Sequence, residues 1–159
     1  MDMILDINDF QKKFGFKMRE VGAKPDAPLL HFRLKFLLEE LHELKVDASK
    51  DDMEGILDAL VDLVYVALGT AWLLNLNFAG AWKLVHEANM AKVRAERPED
   101  SKRGSLFDVI KPKGWKKPDI GSLIDTLDKA LKHTALQQTK QTQLDLLEHL
   151  KTLEQGEQS

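Results

Sequence analysis

The sequence predicts an all-α fold, a helical bundle with one irregular insert. Apolar residues recur at helical spacing in most of the chain. Prolines and glycines gather at about residues 96–118, which excludes one continuous helix there. The length of 159 residues, with 43% hydrophobic and 31% charged residues, fits one globular domain over residues 1–159. We expect a core at 29–95, a basic loop at 96–120 and C-terminal helices at 121–155.

The first two helices are predicted from caps and leucine spacing. A short helix is expected to begin at an Asp6 or Asn8 cap and to end near Met18. The loop that follows contains two prolines. A second helix is predicted over 29–48, where its apolar positions follow the helical period. These positions are Leu30, Leu34, Leu37, Leu38, Leu41 and Leu44.

Two further helices complete the predicted core. Asp51 or Asp52 is expected to cap the third helix, which reaches about Leu74. A turn at 75–77 leads into a fourth helix over about 78–95. The third helix is apolar on most sides, which is typical of the central helix of a bundle.

The insert and the C-terminus complete the element order. Leu106–Ile110 is predicted to be a short strand within the insert. Asp119 or Ser122 is expected to cap the next helix. A last helix is predicted from leucines at a spacing of three, namely Leu144, Leu147, Leu150 and Leu153.

Composition excludes several classes of protein. The chain contains no cysteine, so disulfides, thiolate metal sites and a cysteine nucleophile are excluded. A net charge of −3 argues against a nucleic-acid binder. The apolar run at 56–76 contains Asp58 and Asp62, and two carboxylates disfavour a membrane span. Since the acidic start does not resemble a signal peptide, we expect a cytoplasmic protein without membrane contact.

Charge is distributed unevenly along the chain. Residues 37–62 contain nine acids and only two lysines, whereas residues 92–119 contain nine bases and five acids. Acids of this kind hold divalent cations, and bases bind phosphate oxygens. The two segments could therefore divide the work on one phosphorylated ligand. The alternative for the basic segment is a solvated face.

The acids of the second and third helices form the strongest candidate site. Glu39, Glu40 and Glu43 stand at spacings of three and four, so they share one helix face. Asp58 and Asp62 are one turn apart in the apolar third helix, and Glu54 lies one turn before them. Because buried carboxylates need compensation, the pattern predicts bound Mg²⁺ or Mn²⁺. The alternative is that these acids cap helices or pair with Lys45, Arg33 or Arg94.

Four segments in the same order resemble the all-α nucleoside triphosphate pyrophosphohydrolase superfamily, which includes MazG-like proteins and phosphoribosyl-ATP pyrophosphohydrolases. The first is the EExxE motif of Glu39–Glu43, and the second is the acidic helix Asp58–Tyr65. The stretch Val85–Lys92 is similar to the VHxxNMxK segment of the phosphoribosyl-ATP pyrophosphohydrolase-like branch. Lys111–Ile120 is similar to the KPxGWxxPD tail of that branch. The superfamily's ExxD motif is imperfect here, because Glu54 stands four residues before Asp58 rather than three.

The resemblance implies Mg²⁺-dependent cleavage of a nucleoside triphosphate to the monophosphate and pyrophosphate, with Mn²⁺ as a possible substitute. Glu39 is the expected catalytic residue, which orients the attacking water. The expected metal ligands are Glu40, Glu43, Asp58, Asp62 and Glu54. The expected substrate contacts are Asn89, Lys92, Lys111, Lys113 and Trp115. For Trp115, packing against an apolar edge is an equal alternative.

The resemblance also implies a homodimer or homotetramer, and surplus apolar surface on the third helix favours the same assembly. Two alternative functions stand beside hydrolysis. One is a catalytically weak module that binds or senses a nucleotide on the same bundle. The other is a helical interaction protein whose acids are only solvated.

Overall fold

The computed structural model of the protein describes residues 2–20, 23–124 and 137–142. Within these residues it confirms the predicted all-α class, with four α-helices and a single two-stranded sheet in the first 120 residues. The helices are α1 (Met3–Lys13), α2 (Ala27–Ser49), α3 (Met53–Leu73) and α4 (Phe78–Met90). The strands are β1 (Val93–Arg94) and β2 (Val109–Ile110), and a short 3-10 helix spans Pro98–Asp100.

The chain divides into two compact units, Met1–Ile120 and Gly121–Ser159. In the second unit, residues 121–124 and 137–142 are helical. The remainder of the predicted C-terminal helices, including the leucine stripe at 144–153, lies outside the described residues. One domain over the whole chain stays a prediction.

The first helix begins earlier than predicted. The carboxylate of Asp2 accepts the backbone N–H groups of Ile4 and Leu5, so Asp2 is the cap and Asp6 lies inside α1. The helix ends at Lys13 rather than near Met18. The chain turns at Gly15, whose φ of +71° lies in the left-handed region that glycine adopts without strain.

The second and third helices confirm the sequence prediction to within two residues at their ends. Pro28 stands in the first turn of α2, where its missing N–H group leaves no bond unmade. The Asp52 carboxylate caps α3 by accepting the backbone N–H groups of Glu54 and Gly55, each at 3.1 Å. The three residues at 50–52 reverse the chain, so α2 and α3 form an antiparallel hairpin.

The fourth helix ends before the predicted boundary at residue 95. Its cap is Asn77, whose side chain accepts the N–H group of Gly80 at 2.9 Å. After Met90 the chain leaves the helix because Val93 pairs with Ile110 in an antiparallel ladder. The predicted strand at Leu106–Ile110 is correspondingly shorter, since Leu106 and Phe107 form a turn and only Val109–Ile110 pairs.

Helix α3 is the centre of the first unit. Of the seven apolar residues that are buried in the described chain, five lie on α3, namely Ala59, Val66, Leu68, Ala71 and Leu73. By length and composition alone, α3 could also span a membrane. It packs along α2 and against α1, and this packing brings polar residues of α1 and α2 next to it.

Candidate active site

Glu40 is the buried member of a group of acids between α2 and α3. Its side chain is only 7% exposed. Burial raises the pKa of Glu40, and the charges of Asp62, Glu43, Glu39 and Asp58 raise it further. Every charged group that shifts this pKa is therefore another acid. We call these five residues the acidic cluster.

The helix geometry explains why these residues meet. Glu39, Glu40 and Glu43 lie within one turn of α2, and Asp58 and Asp62 lie one turn apart on α3. Because the two helices run antiparallel from a tight turn, these turns lie at a similar distance from it. The sequence prediction grouped these five acids together with Glu54.

The donor set of the acidic cluster fits a divalent cation. Carboxylate oxygens are the ligands that Mg²⁺ prefers. No ion pair of the described residues joins a cluster acid to Lys45, Arg33 or Arg94, which was the alternative form of compensation. The side chains of the described residues do not form a ready-made group of three or more metal ligands. The described residues thus provide an excess of negative charge at this place, but their side chains are not arranged around one point as metal ligands would be.

Glu54 lies apart from the other predicted metal ligands. It stands in the first turn of α3 and lines an open surface depression together with Asp52 and Asp58. It is not among the charges that raise the pKa of Glu40. Its place one turn before Asp58 leaves it at the outer edge of the acidic cluster.

A cavity of about 280 Å³ begins at the acidic cluster and is bordered by three helices. Phe10 and Gln11 border it from α1, and Asp62, Tyr65, Val66 and Gly69 border it from α3. The α2 wall is formed by Arg33, Phe36 and Glu40. The cavity thus joins carboxylates, aromatic rings and one guanidinium group.

Arg33 is fixed by two hydrogen bonds to α3. Its Nη2 atom donates to the carbonyl oxygen of Val66 at 2.8 Å, and its Nε atom donates to Oγ1 of Thr70 at 3.0 Å. The guanidinium group also lies 5.3 Å from the centre of the Phe36 ring. Burial lowers the pKa of Arg33. Sequence reasoning considered Arg33 only as an ion-pair partner, and it missed Gln11, which is 3% exposed.

Trp115 and Lys111, two of the predicted substrate contacts, lie at the end of α4. The indole N–H group of Trp115 donates to the carbonyl oxygen of Ala88 at 2.7 Å. The Lys111 ammonium group lies 4.3 Å from the centre of the Trp115 ring. Asn89 is exposed and Lys92 is half-buried at the same helix end. This hydrogen bond holds the indole ring of Trp115 against α4, in agreement with the packing alternative. Lys113, two residues before Trp115, is exposed.

The basic loop has its own polar network. The Ser101 hydroxyl donates to the Asp108 carboxylate at 2.5 Å, and Arg103 forms an ion pair with the same carboxylate at 3.1 Å. The hydrogen bond from Ser101 lowers the pKa of Asp108, and the charges of Arg103 and Lys92 lower it further. This network holds the loop that presents the lysines. Within the described residues, no hydrogen bond or ion pair joins this region to the acidic cluster.

Comparison with protein families gives one finding for this chain. Residues 7–89 match the family model described as phosphoribosyl-ATP pyrophosphohydrolase. The match covers just over half of the chain and includes all five residues of the acidic cluster. Comparison with curated proteins gives no match.

Proposed function

The chain belongs to the phosphoribosyl-ATP pyrophosphohydrolase family, and from this premise we propose that it cleaves a nucleoside triphosphate to the monophosphate and pyrophosphate with Mg²⁺ as cofactor. Membership makes the protein a hydrolase that acts on a phosphoric anhydride bond of a nucleotide-like substrate. What we propose beyond family membership is that the substrate is a ribo- or deoxyribonucleoside triphosphate and that the reaction depends on Mg²⁺.

The observation that carries the proposal is the acidic cluster. Burial and the charges of four neighbouring acids raise the pKa of Glu40, so this group of five carboxylates calls for a cation. An anhydride likewise needs its negative oxygens neutralised before water can attack. We assign Glu40, Glu43, Asp58 and Asp62 as ligands of Mg²⁺, with Glu54 at the edge of the site. When bound there, Mg²⁺ supplies charge neutralisation on the phosphate oxygens and polarises the water.

The other residues bind and orient the reactants. The Glu39 carboxylate, exposed at the rim of the cluster, accepts a proton from the attacking water and orients it. Lys92, Lys111 and Lys113 offer point charges to the phosphate chain, and the Asn89 amide donates to an oxygen of phosphate or ribose. Trp115 supports this group through its bond to α4 and places Lys111 above its ring.

We propose that the protein acts as a homodimer or as a dimer of dimers. Two apolar stripes support this, because each consists of exposed residues at helical spacing. The α2 stripe is Leu34, Leu38 and Leu41, which are 58%, 64% and 52% exposed. The α3 stripe is Leu57, Val61 and Val64, at 64%, 53% and 46%. A second copy of the hairpin, with the same stripes, would cover both and form a four-helix core. Such a protein is soluble, and we place it in the cytoplasm.

Pyrophosphate release tests the proposed reaction. The purified protein is incubated with a panel of nucleoside triphosphates and millimolar Mg²⁺, and the products are separated by ion exchange. We expect the monophosphate and pyrophosphate in equal amounts, and no turnover in excess EDTA. Release of the diphosphate and inorganic phosphate would contradict the assigned bond. Nucleotide binding in calorimetry without any turnover would identify the binding module instead.

A further inference from the structure

Lys92 and Lys111 stand at the same end of the two-stranded ribbon that β1 and β2 form. Lys92 directly precedes β1 and Lys111 directly follows β2, and the antiparallel register pairs Val93 with Ile110. The next position of this register sets the two lysines opposite each other. Two ammonium groups placed in this way repel each other and together attract an anion. The proposed reaction uses both lysines as phosphate contacts, and their spacing depends on the ribbon.

The ribbon is too short to hold this spacing by itself. It consists of two residue pairs, Val93 with Ile110 and Arg94 with Val109. Of these four residues, Val93, Arg94 and Val109 are exposed. Even a longer two-stranded hairpin is at best marginally stable in water, so this ribbon needs support from outside its ladder.

The backbone of Asp108 supports the ribbon at the end opposite to the lysines. Its carbonyl oxygen accepts the N–H group of Ala95 at 3.1 Å, which continues the ladder by one position. Ala95 is only 3% exposed. Asp108 therefore ties the start of β2 to a buried residue directly after β1.

The side chain of Asp108 closes the loop between the two strands. Its carboxylate is 11% exposed, accepts the Ser101 hydroxyl at 2.5 Å and pairs with the Arg103 guanidinium group at 3.1 Å. Ser101 is buried as well, and its hydroxyl oxygen accepts the backbone N–H group of Arg103 at 3.0 Å. The loop is thus fixed through both the backbone and the side chain of Asp108.

Asp108 also lies within electrostatic reach of Lys92. The hydrogen bond from Ser101 is the largest cause that lowers the pKa of Asp108, and the charges of Arg103 and Lys92 lower it further. By its charge alone, a carboxylate near Lys92 weakens the attraction of this lysine for a phosphate. By its hydrogen bonds, the same carboxylate holds the ribbon in place. Removal of Asp108 therefore changes substrate binding in opposite directions through its charge and through its hydrogen bonds.

We propose that Asp108 is a positioning residue, which keeps Lys92 and Lys111 side by side for the phosphate chain of the substrate. This inference rests on the proposed function, because it takes the two lysines as phosphate contacts. Asp108 stands three residues before Lys111, about 10 Å away along an extended strand, so it acts through the ribbon. Its loss weakens the binding of the substrate and leaves the chemical step at the acidic cluster unchanged.

Steady-state kinetics of three variants test this role. Asp108→Ala should raise KM about 10-fold and keep kcat within about 2-fold of wild type, since one contact to a charged group is lost and the acidic cluster is untouched. Asp108→Asn removes the same charge but keeps an oxygen that accepts the Ser101 hydroxyl, so KM should return to within about 3-fold of wild type. Ser101→Ala keeps every charge and should raise KM as Asp108→Ala does. Glu99→Ala, which removes an exposed carboxylate from the same loop, is the matched control and should leave KM unchanged.

The direction of the change in KM separates positioning from charge. If only charge mattered, Asp108→Ala and Asp108→Asn would both lower KM, and Ser101→Ala would have no effect. That result would overturn the inference and leave hydrolysis intact, as would a fall in kcat at unchanged KM. If Asp108→Ala does not fold, Ser101→Ala and Asp108→Asn still decide the question.

A binding measurement keeps the inference testable without turnover. If no triphosphate is hydrolysed, the proposed function fails, and calorimetry with α,β-methylene analogues of the same triphosphates decides. Binding by the wild-type chain that Asp108→Ala and Ser101→Ala each weaken about 10-fold would support the positioning role. Equal affinity of the three chains, or no binding by the wild-type chain, would overturn it.

Discussion

Glu40 on α2 and Asp62 on α3 line the same cavity, and no cation of the described residues pairs with either. Burial raises the pKa of Glu40, and the charge of Asp62 is the next largest cause. The protein thus keeps two mutually repelling carboxylates in its central helix pair. Such an arrangement lowers the stability of the fold without a ligand, and a cation that binds there recovers it.

The first prediction concerns pH and Glu40. Its pKa is higher in the folded chain than in the unfolded chain, so the folded state holds this proton more tightly. As pH rises from the ordinary value of 4.5, the group must ionise among other acids, and the free energy of unfolding falls. Glu40→Gln should therefore raise the Tm of the metal-free protein at neutral pH, with the gain disappearing at acidic pH. Thermal melts in EDTA between pH 4 and pH 8 measure this, with the exposed Glu99→Gln as control.

The second prediction concerns metal and stability. Mg²⁺ or Mn²⁺ at 100 times its Kd should stabilise the wild-type fold by about 2.7 kcal/mol, which corresponds to a rise in Tm of about 5–10 °C. Asp58→Asn and Asp62→Asn should each raise Tm in EDTA and remove most of the response to metal. Asp51→Asn, in the exposed turn between α2 and α3, is the matched control. A wild-type Tm that ignores millimolar Mg²⁺ and Mn²⁺ would contradict the metal assignment.

The third prediction concerns catalysis by the EExxE motif. Glu43→Gln keeps the shape of the side chain and removes its charge, so hydrolysis should fall at least about 100-fold while the circular dichroism spectrum stays the same. Glu87→Gln, on the exposed face of α4, should retain wild-type turnover. Near-normal turnover of Glu43→Gln at saturating Mg²⁺ would show that Glu43 is not a ligand.

The fourth prediction concerns the anchor of the basic loop. Trp115→Phe keeps an aromatic ring under Lys111 and removes the hydrogen bond to the Ala88 carbonyl oxygen. The free energy of unfolding should fall by about 1 kcal/mol. Urea titration followed by circular dichroism measures the change. Trp82→Phe is the control, since Trp82 is 65% exposed and should contribute little. An equal decrease in the free energy of unfolding in both variants would mean that the hydrogen bond from Trp115 to Ala88 does not stabilise the fold.

The helices that could be predicted from the sequence are those set by local signals. The ends of α2 and α3 follow from leucine spacing and from the Asp52 cap, both of which act over a few residues. The end of α4 could not be predicted in this way. The helical pattern continues through Val93, but a strand partner at Ile110, distant in sequence, draws the chain out of the helix.

The candidate site, like the helices, has a part that local sequence signals predict and a part that depends on tertiary packing. Helical spacing places the five cluster acids on one turn of α2 and one turn of α3, and the short connection between the two helices brings these turns side by side, so their association could be predicted. Arg33 and Gln11 could not be identified, because their burial depends on how α1 and α2 pack on α3. A single arginine in a leucine-rich helix is not part of any residue pattern that recurs at helical spacing, so the sequence gives no signal for its role. In the structure, its hydrogen bonds to Val66 and Thr70 and its place in the cavity wall distinguish it from a surface arginine.

The last prediction concerns assembly. We expect sedimentation equilibrium at micromolar concentration to give at least twice the chain mass of 18.1 kDa. Leu38→Lys should weaken the assembly at least about 100-fold, because a two-fold interface loses the leucine from both copies, at about 1.5–3 kcal/mol each. Leu106→Lys, an exposed leucine outside both stripes, is the matched control and should stay associated. A single 18.1 kDa species for the wild-type chain would refute the dimer. In that case the lysines of the basic loop would have to reach the acidic cluster within one chain, and the exposed α2 and α3 stripes would need another partner.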